Sequence, residues 1–307
     1  MIAEKEGETP MTMSPAMSLD RPRRFAWWRR LVRRPSSLLA VLFLVLVIGV
    51  AIVAPLVAPH DPNAQDLSRK LEPPFWMKGG GVEHLLGTDQ LGRDILSRIL
   101  WGSRVSLSVG IFSVAVASGI GVPVGLLTGY FGGRLDTVIM RIADVQLAFP
   151  GILLAIAIIA VVGPSLRNLI VVLGITGWVT LARVVRVQTM ALRQLEFVQA
   201  ARAVGLPDFR IMLRHILPNV FSSVLVIGTV QVGGFIVSEA GLSFLGLGVP
   251  LSTPTWGGML NDAQLYLMSA SWFAMLPGTA IMLTVLSINL VGDVLRDLLD
   301  PRAKLNL

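Results

Sequence analysis

The sequence predicts an all-α integral membrane protein with six transmembrane helices, on the evidence of its composition and the spacing of its charges. Of its 307 residues, 53% are hydrophobic and 15% are charged, whereas soluble domains carry about 25% charged residues. The charged residues also cluster and leave long uncharged segments between them. Each helix that crosses a bilayer needs about 20 consecutive apolar residues. These segments therefore predict spans and exclude a soluble globular protein.

Six uncharged segments are the predicted spans. They comprise residues 37–58, 105–133, 145–166, 168–182, 216–238 and 263–292. The fourth is shorter than a bilayer requires, so we extend it to Val187 and expect Arg183 and Arg186 to reach the membrane surface with their charged ends. A long polar and basic segment precedes the first span, which argues against a cleavable signal peptide there.

The distribution of lysine and arginine predicts the orientation of the spans. Of the 26 such residues, 19 fall on the side of the N-terminus, and positively charged loops stay preferentially in the cytoplasm. Both termini are therefore expected in the cytoplasm, and the net charge of +7 reflects orientation rather than nucleic-acid binding. The predicted units are a cytoplasmic basic tail (1–36), a first transmembrane helix (37–59), an extracytoplasmic loop (60–104), a core of five helices (105–298) that includes a cytoplasmic loop (188–217), and a cytoplasmic C-terminal tail (299–307).

The second span carries glycines at four-residue steps, at Gly121, Gly125 and Gly129. This spacing places them on one helix face, where another helix can approach closely. The partner is either a helix of the same chain or a helix of another subunit, and generic tight packing is the alternative to a functional contact.

The cytoplasmic loop has the pattern of two short helices joined at a bend. Phe197, Ala200, Ala201 and Val204 form one stripe of a helix. Gly205 then predicts a helix stop with a positive φ, and Pro207 prevents continuation. Asp208 is expected to cap a second short helix that runs toward Pro218. Such a bend could dock on another protein, or it could be an amphipathic turn at the membrane surface.

The residue identities in this loop resemble the signature of binding-protein-dependent ABC importer permeases. That signature is E-A-A, three residues, glycine, nine residues, then I-x-L-P. Gln199-Ala200-Ala201, Gly205 and His215-Ile216-Leu217-Pro218 follow it at the same spacing. Two positions depart from it: Gln199 replaces the glutamate, and His215 occupies the position of the isoleucine. Glu196, one turn earlier, is a possible substitute for the missing acid.

Two further segments and the C-terminal end narrow the resemblance to one branch. Residues 84–107, 242–260 and 292–302 look like the C-type subunit of dipeptide, oligopeptide and nickel importers. The resemblance covers about residues 35–303 and implies the type I ABC importer permease fold. It also implies a bacterial or archaeal plasma-membrane protein that imports di- or oligopeptides. Nickel chelates and glutathione-like solutes are the alternatives within the same family.

The resemblance further implies partners and a division of labour. A homologous B-type permease completes the pathway, two ABC ATPase subunits dock on the inner loops, and a solute-binding protein delivers substrate from outside. The docking residues implied are Glu196, Gln199, Ala200, Ala201, Gly205, Leu206, Pro207, Asp208, Leu217 and Pro218. The chain is not expected to be an enzyme, because no Gly-Lys pair of a nucleotide-binding loop occurs in it. ATP and Mg²⁺ are expected on the partner subunits, with no cofactor bound by this chain.

Three polar residues inside predicted spans are candidates for the transport pathway. They are Gln231, Glu239 and Asn289. Glu239 is either a pathway residue near a peptide's amino group or an interfacial acid paired with an arginine. Cysteine is absent, and the histidines, at positions 60, 84 and 215, lie far apart in sequence. No metal cluster is predicted.

Two remote alternatives concern other classes of protein. His84 and Asp89 match the spacing of a glycerolipid acyltransferase dyad, although the predicted topology places them outside. The favoured interpretation is that residues 87–89 and 92–94 form turns and ion pairs of the outer loop. A secondary transporter is the other alternative, and it would require two similar halves and broken or charged helices in the membrane, neither of which the sequence indicates.

Overall fold

The computed structural model describes residues 35–250 and 252–299, and these residues form an all-helical protein with no β-strand. The predicted tails, 1–36 and 299–307, lie almost entirely outside the described residues. The helices are α1 (Pro35–Val57), α2 (Ile95–Phe131), α3 (Gly133–Leu147), α4 (Gly151–Val162), α5 (Leu166–Arg193), α6 (Glu196–Ala203), α7 (Asp208–Phe244), α8 (Trp256–Ala263) and α9 (Ser271–Leu299). Single 3₁₀ turns occur at Leu67–Arg69 and Gln264–Tyr266.

Five of these helices are long and apolar enough to cross a membrane, and a sixth span exists if α3 and α4 count as one. The predicted uninterrupted span 145–166 is wrong, because α3 and α4 meet at an 87° bend. Pro150 explains the break, since proline disfavours a helical conformation in the residue before it and cannot donate a backbone hydrogen bond. With 12 residues, α4 alone is about 18 Å long and falls short of a hydrocarbon core of about 30 Å.

The fourth span, α5, continues to Arg193. The contacts of Arg183 and Arg186 in this helix differ from the predicted ones. Arg183 Nη2 lies 2.6 Å from Asp144 Oδ1, and Arg186 Nε lies 2.5 Å from Asp136 Oδ1. Both carboxylates belong to α3. The arginines are therefore neutralised by ion pairs with a neighbouring helix, rather than by extension to the membrane surface alone.

Both predicted loops are shorter in the structure, because helices extend into them. The outer loop was predicted to end at residue 104, but α2 begins at Ile95, where Asp94 Oδ2 accepts a 2.7 Å hydrogen bond from Ser97 N. The inner loop was predicted over 188–217, but only residues 194–207 separate α5 from α7, and α6 occupies most of them.

The predicted second short helix of the inner loop is in fact the start of α7. One wide turn interrupts α7, because the Leu217 N–H donates to Met212 O five residues back. Pro218 accounts for this turn, since its ring crowds the carbonyl four residues earlier and it has no N–H to donate. A π turn restores the bonding and lets the helix continue into the membrane.

The glycine face of α2 packs against α5 of the same chain. A Cβ added at Gly121 would lie 2.6 Å from Trp178 O, one at Gly125 2.6 Å from Ala182 O, and one at Gly129 2.5 Å from Arg186 O. These carbonyl oxygens themselves repeat every four residues along α5, so the two backbones touch over three turns. The glycines therefore serve a contact within the subunit.

This contact predicts different outcomes for two glycines of α2. Gly125→Leu should prevent α2 and α5 from packing and lower the yield and thermal transition of the purified protein, because its side chain has no space. Gly119→Leu is the matched control, since nothing lies within 4 Å of a Cβ at Gly119. Fluorescence-detected size-exclusion chromatography during heating measures both variants. Equal stability of the two would contradict the packing role.

Candidate functional site

The segment between α5 and α7, residues 194–208, forms a bent projection that we call the elbow. Its helix α6 ends in a Schellman motif: Leu206 N donates to Ala201 O at 3.2 Å, and Gly205 N donates to Arg202 O at 3.0 Å. Gly205 has a φ of +77°, which confirms the predicted left-handed helix stop. The motif reverses the chain within three residues and delivers it to Pro207, the residue before α7.

One face of the elbow packs against the rest of the protein, and the opposite face is exposed. Val198 and Ala201 are buried in the hydrophobic core, with Leu206 packed beside them. Phe197, Val204 and the nearby Phe209 are exposed, at 43%, 76% and 68%. The predicted stripe is therefore divided: Ala201 packs inward, whereas Phe197, Ala200 and Val204 face outward. In the part of the chain that the structure describes, α6 therefore has an exposed apolar surface without a partner, and its opposite face packs against the core.

Asp208 holds the elbow to the end of α2 and is not the predicted helix cap. Pro207 occupies the cap position, so Asp208 lies at the first helical residue, where its Oδ1 accepts a 2.6 Å hydrogen bond from the Tyr130 hydroxyl. Tyr130 is only 2% exposed. The Arg202 guanidinium lies 5.3 Å from the centre of the Tyr130 ring, and hydrogen bonding to Tyr130 raises the pKa of Arg202 above its ordinary value.

Arg193, the last residue of α5, completes this contact by donating from Nη1 to Tyr130 O. Tyr130 therefore joins α2, the end of α5, α6 and the start of α7. Sequence reasoning missed it, because its position one residue before the end of a long apolar span carried no periodic signal. The available clue was the position of this tyrosine at the end of a predicted span, because tyrosines are enriched at membrane interfaces.

The remaining predicted docking residues lie on or beside the elbow. Glu196 is the exposed first residue of α6, where a carboxylate is favoured by the helix dipole. Gln199 Nε2 donates a 2.8 Å hydrogen bond to Arg193 O. An ionised glutamate has no proton to donate there, so Gln199 is not equivalent to the acid of the family pattern. Leu217 is half-buried and Pro218 exposed, at the wide turn of α7.

Of the three pathway candidates, Gln231 alone lines a described cavity. That cavity has a volume of about 270 Å³ and lies between α4, α5 and α7. Gln231 Nε2 donates to Gly177 O at 3.0 Å, while its Oε1 is buried without a hydrogen-bond partner. Asn289 is exposed on α9, and its Oδ1 would lie 3.5 Å from a Cβ added at Gly233.

Glu239 is not paired with an arginine in the part of the chain that the structure describes, contrary to one of its two predicted roles. Its side chain is fully buried, and its oxygens accept hydrogen bonds from Ser243 Oγ at 2.7 Å and Ser106 Oγ at 3.1 Å. The Thr255 hydroxyl, at the start of α8, is a third hydrogen-bond partner, so the groups around the carboxylate are hydroxyls, and the three described cavities do not include Glu239. Glu239 therefore joins α7 to α2 and to the start of α8 inside the protein.

The outer loop contains a buried network of charges. Asp89 Oδ2 is 2.6 Å from Arg93 Nε and also pairs with Arg98. Asp262, from the end of α8, is 2.8 Å from Arg93 Nη2 and 3.2 Å from Arg98 Nη2. The predicted turns and ion pairs are present, and they tie the start of α2 to α8.

The acyltransferase dyad of the remote alternative is not formed. His84 Nδ1 lies 3.0 Å from Asp94 Oδ1, whereas Asp89 is occupied by the two arginines. The structure instead brings His84 against His60, with ring centroids 4.7 Å apart. Sequence separation was therefore a poor argument against a histidine cluster, because the loop folds back on the end of α1.

Comparisons with known proteins agree with one another on the family. The model of the family described as "Binding-protein-dependent transport system inner membrane component" matches residues 121–305. That of the "N-terminal TM domain of oligopeptide transport permease C" matches residues 25–74.

Two curated relatives extend this match, and two solved structures share the fold. "Glutathione transport system permease protein GsiD" of Pectobacterium atrosepticum is 46% identical over 279 residues, or 91% of each chain. Its counterpart in Escherichia coli is 46% identical over 278 residues, covering 91% of this chain and 90% of the relative. Two inward-facing structures of the MetNI methionine ABC transporter have a TM-score of 0.54 at 20% identity. They cover 65% and 66% of this chain, and 95% and 96% of the matched chains, and support the fold.

The charge network predicts a large cost for removing its centre. Asp89→Asn leaves Arg93 and Arg98 with a single shared acid, so the free energy of unfolding should fall by about 3–5 kcal/mol, as for other broken buried pairs. Asp144→Asn is the control, because the Asp144–Arg183 pair is half exposed and such pairs contribute at most about 1 kcal/mol. Thermal denaturation of the two purified variants makes the comparison. An Asp89 variant no less stable than the Asp144 variant would show that the network is not stabilising.

Proposed function

The chain belongs to the binding-protein-dependent ABC importer permeases, in their oligopeptide and dipeptide C-type branch, and we propose that it forms one half of an importer's translocation pathway. A homologous B-type permease forms the other half. Proteins of this family are not enzymes, and separate subunits hydrolyse ATP. In this proposal ATP and Mg²⁺ bind to those subunits, and transport needs no cofactor on this chain. Family membership also removes the secondary transporter and the acyltransferase as alternatives.

The observation that carries the mechanism is the elbow, with its open apolar face and its fixed inner face. Phe197, Val204 and Phe209 present exposed apolar surface of the kind that marks protein interaction sites. An ATPase subunit that binds this surface would contact α6, and Val198 and Ala201 attach α6 to the core. Closure of the ATPases would then move the elbow as a rigid body.

Two connections would transmit that movement into the membrane. Asp208 links the elbow to Tyr130 at the end of α2, and α7 runs from Asp208 through the wide turn at residues 212–216 to Phe244. Movement of the elbow would therefore shift both α2 and α7, and α7 carries Gln231 into the cavity between the helices. Alternating access requires this kind of coupled, nearly rigid displacement.

The orientation follows from the same assignment. The elbow lies in the cytoplasm, with both termini on that side, as the 19 of 26 lysines and arginines favour. The loop from residue 60 to residue 94 then faces the solute-binding protein outside. Membership in this family supports a multi-pass protein of the bacterial inner membrane.

The substrate we propose is glutathione or a closely similar small peptide. The curated relatives at 46% identity are named for glutathione transport, which favours the glutathione-like alternative over the general di- and oligopeptides that the sequence first suggested. Gln231 lines the cavity and its buried Oε1 has no hydrogen-bond partner; an amide oxygen can accept a hydrogen bond from any peptide N–H, which supports peptides as a class, glutathione included. Nickel chelates are the competing substrate class.

The docking role predicts that the backbone conformation of Gly205, and not its size, is required. Gly205→Val should abolish most of the ATPase stimulation by substrate-loaded binding protein, since a β-branched residue resists a φ of +77° at a cost of about 1–2 kcal/mol or more. Gly205→Asn is the control, because asparagine tolerates this conformation. Open space surrounds a Cβ at this position, so neither variant clashes. Stimulated ATPase activity of the reconstituted complex is measured, and an unimpaired valine variant would refute the docking role.

The substrate proposal predicts a specific order of competitors. In proteoliposomes containing the complete importer, ATP-driven uptake of labelled glutathione should be reduced by unlabelled glutathione at least about 10-fold more effectively than by dialanine or a nickel–histidine chelate. Uptake of the nickel chelate that glutathione does not inhibit would overturn the assignment. Omitting ATP provides the background in each case.

A further inference from the structure

We propose that His60, Glu83 and His84 form a binding site for a divalent transition-metal ion, with Zn²⁺ as the best-matched ion. One potential ligand atom from each residue lies within 4.8 Å of those of the other two. His60 follows the end of α1, whereas Glu83 and His84 precede the turn that leads to α2. The site lies in the loop on the side opposite the elbow, and it is separate from the docking surface and the cavity.

The donor set selects the class of ion. Two imidazoles and one carboxylate match the three protein ligands of open zinc sites, whereas magnesium and calcium prefer oxygen ligands alone. Zinc bonds of about 2.0–2.2 Å place tetrahedral ligands about 3.4 Å apart. Atoms up to 4.8 Å apart can reach this spacing by side-chain rotation, because Glu83 is exposed and His60 is half-buried.

Asp94 supplies the outer support that a metal-binding histidine needs. Its Oδ1 lies 3.0 Å from His84 Nδ1, and its Oδ2 is fixed by the 2.7 Å bond from Ser97 N. When Nδ1 of His84 donates to this carboxylate, Nε2 is left with its lone pair available for a metal. A carboxylate behind the imidazole is the usual arrangement in zinc sites, and it fixes the ring and increases its basicity.

A buried, unpaired nitrogen and an unbalanced charge also point to a cation here. His60 Nδ1 is buried and has no hydrogen-bond partner, and it lies 3.8 Å from Asp94 Oδ2, which is too far for a hydrogen bond. Within residues 35–250 and 252–299, the ion pairs of Asp94 are with these two histidines. Arg93 and Arg98 are instead bound to Asp89 and Asp262. A bound divalent ion would provide the missing positive charge.

The site is accessible, and one existing contact competes with it. His60 lines a surface pocket of about 660 Å³ between the end of α1 and the start of α2, through which an ion can enter. Arg69 Nη1 lies 2.5 Å from Glu83 Oε2, but a carboxylate has a second oxygen that can bind the metal while the first stays with the arginine. Glu83 is therefore the weakest of the three ligands.

Zinc titration of the complete importer, purified without a polyhistidine tag, tests the proposal. Inductively coupled plasma mass spectrometry after equilibrium dialysis should detect one ion more per complex in the wild type than in His60→Gln. Affinity should fall at least about 10-fold in Glu83→Gln and further in His84→Gln. His215→Gln is the matched control, since this histidine belongs to α7, and it should retain the ion.

X-ray absorption at the zinc edge should show two imidazole ligands in the wild type. This signature should be absent from His60→Gln, which lacks one of the two imidazoles. Equal zinc content in the wild type, His60→Gln and His84→Gln, or none in any of them, would overturn the proposal. His84 is buried, and substituting it can prevent folding. His60 is only half-buried, so His60→Gln is expected to fold and still tests the site. Glutathione uptake by the same preparations is scored separately, because the metal site does not depend on the proposed transport function.

Discussion

The backbone contact between α2 and α5 is the constraint on which the rest of the structure depends. Three glycines of α2 meet three carbonyl oxygens of α5, and at this distance no side chain fits between the helices. The helix α2 has 37 residues and a length of about 55 Å, which exceeds the thickness of about 40–45 Å of a bilayer with its headgroups. Its start holds the outer charge network, and its end holds Tyr130. The contact with α5 therefore positions both ends of the molecule at once.

The elbow combines a fixed inner face with an exposed apolar outer face on one short helix. Its inner face is fixed by core packing, a Schellman motif and the Tyr130–Asp208 hydrogen bond, while its outer face carries apolar side chains without a partner. A loosely attached helix would move without displacing the rest of the protein, and a fully buried helix could not contact a partner. The wide turn at residues 212–216 keeps α7 continuous despite Pro218, so the elbow stays connected to the pathway helix.

The outer loop shows how a long irregular segment can be ordered next to a membrane. Asp89, Arg93, Arg98 and Asp262 pair with one another and are nearly inaccessible to solvent, and buried charges are tolerated only when each one has a partner. Asp94 stands outside this network and faces the two histidines. The same principle that explains the arginine pairs therefore leads to a cation at His60, Glu83 and His84.

The sequence by itself determined the membrane class, the approximate spans, the left-handed glycine and the family, because these depend on local composition, helical periodicity and fixed motif spacing. Tertiary structure alone decided which side of α6 is exposed, that Asp208 binds Tyr130 and not its own helix, and that Glu239 is enclosed by serine hydroxyls. It also brought together His60 and His84, which lie 24 positions apart in the sequence. The reason is physical: helix formation and turns are governed by neighbours along the chain, whereas burial and side-chain pairing depend on residues that only folding brings into contact.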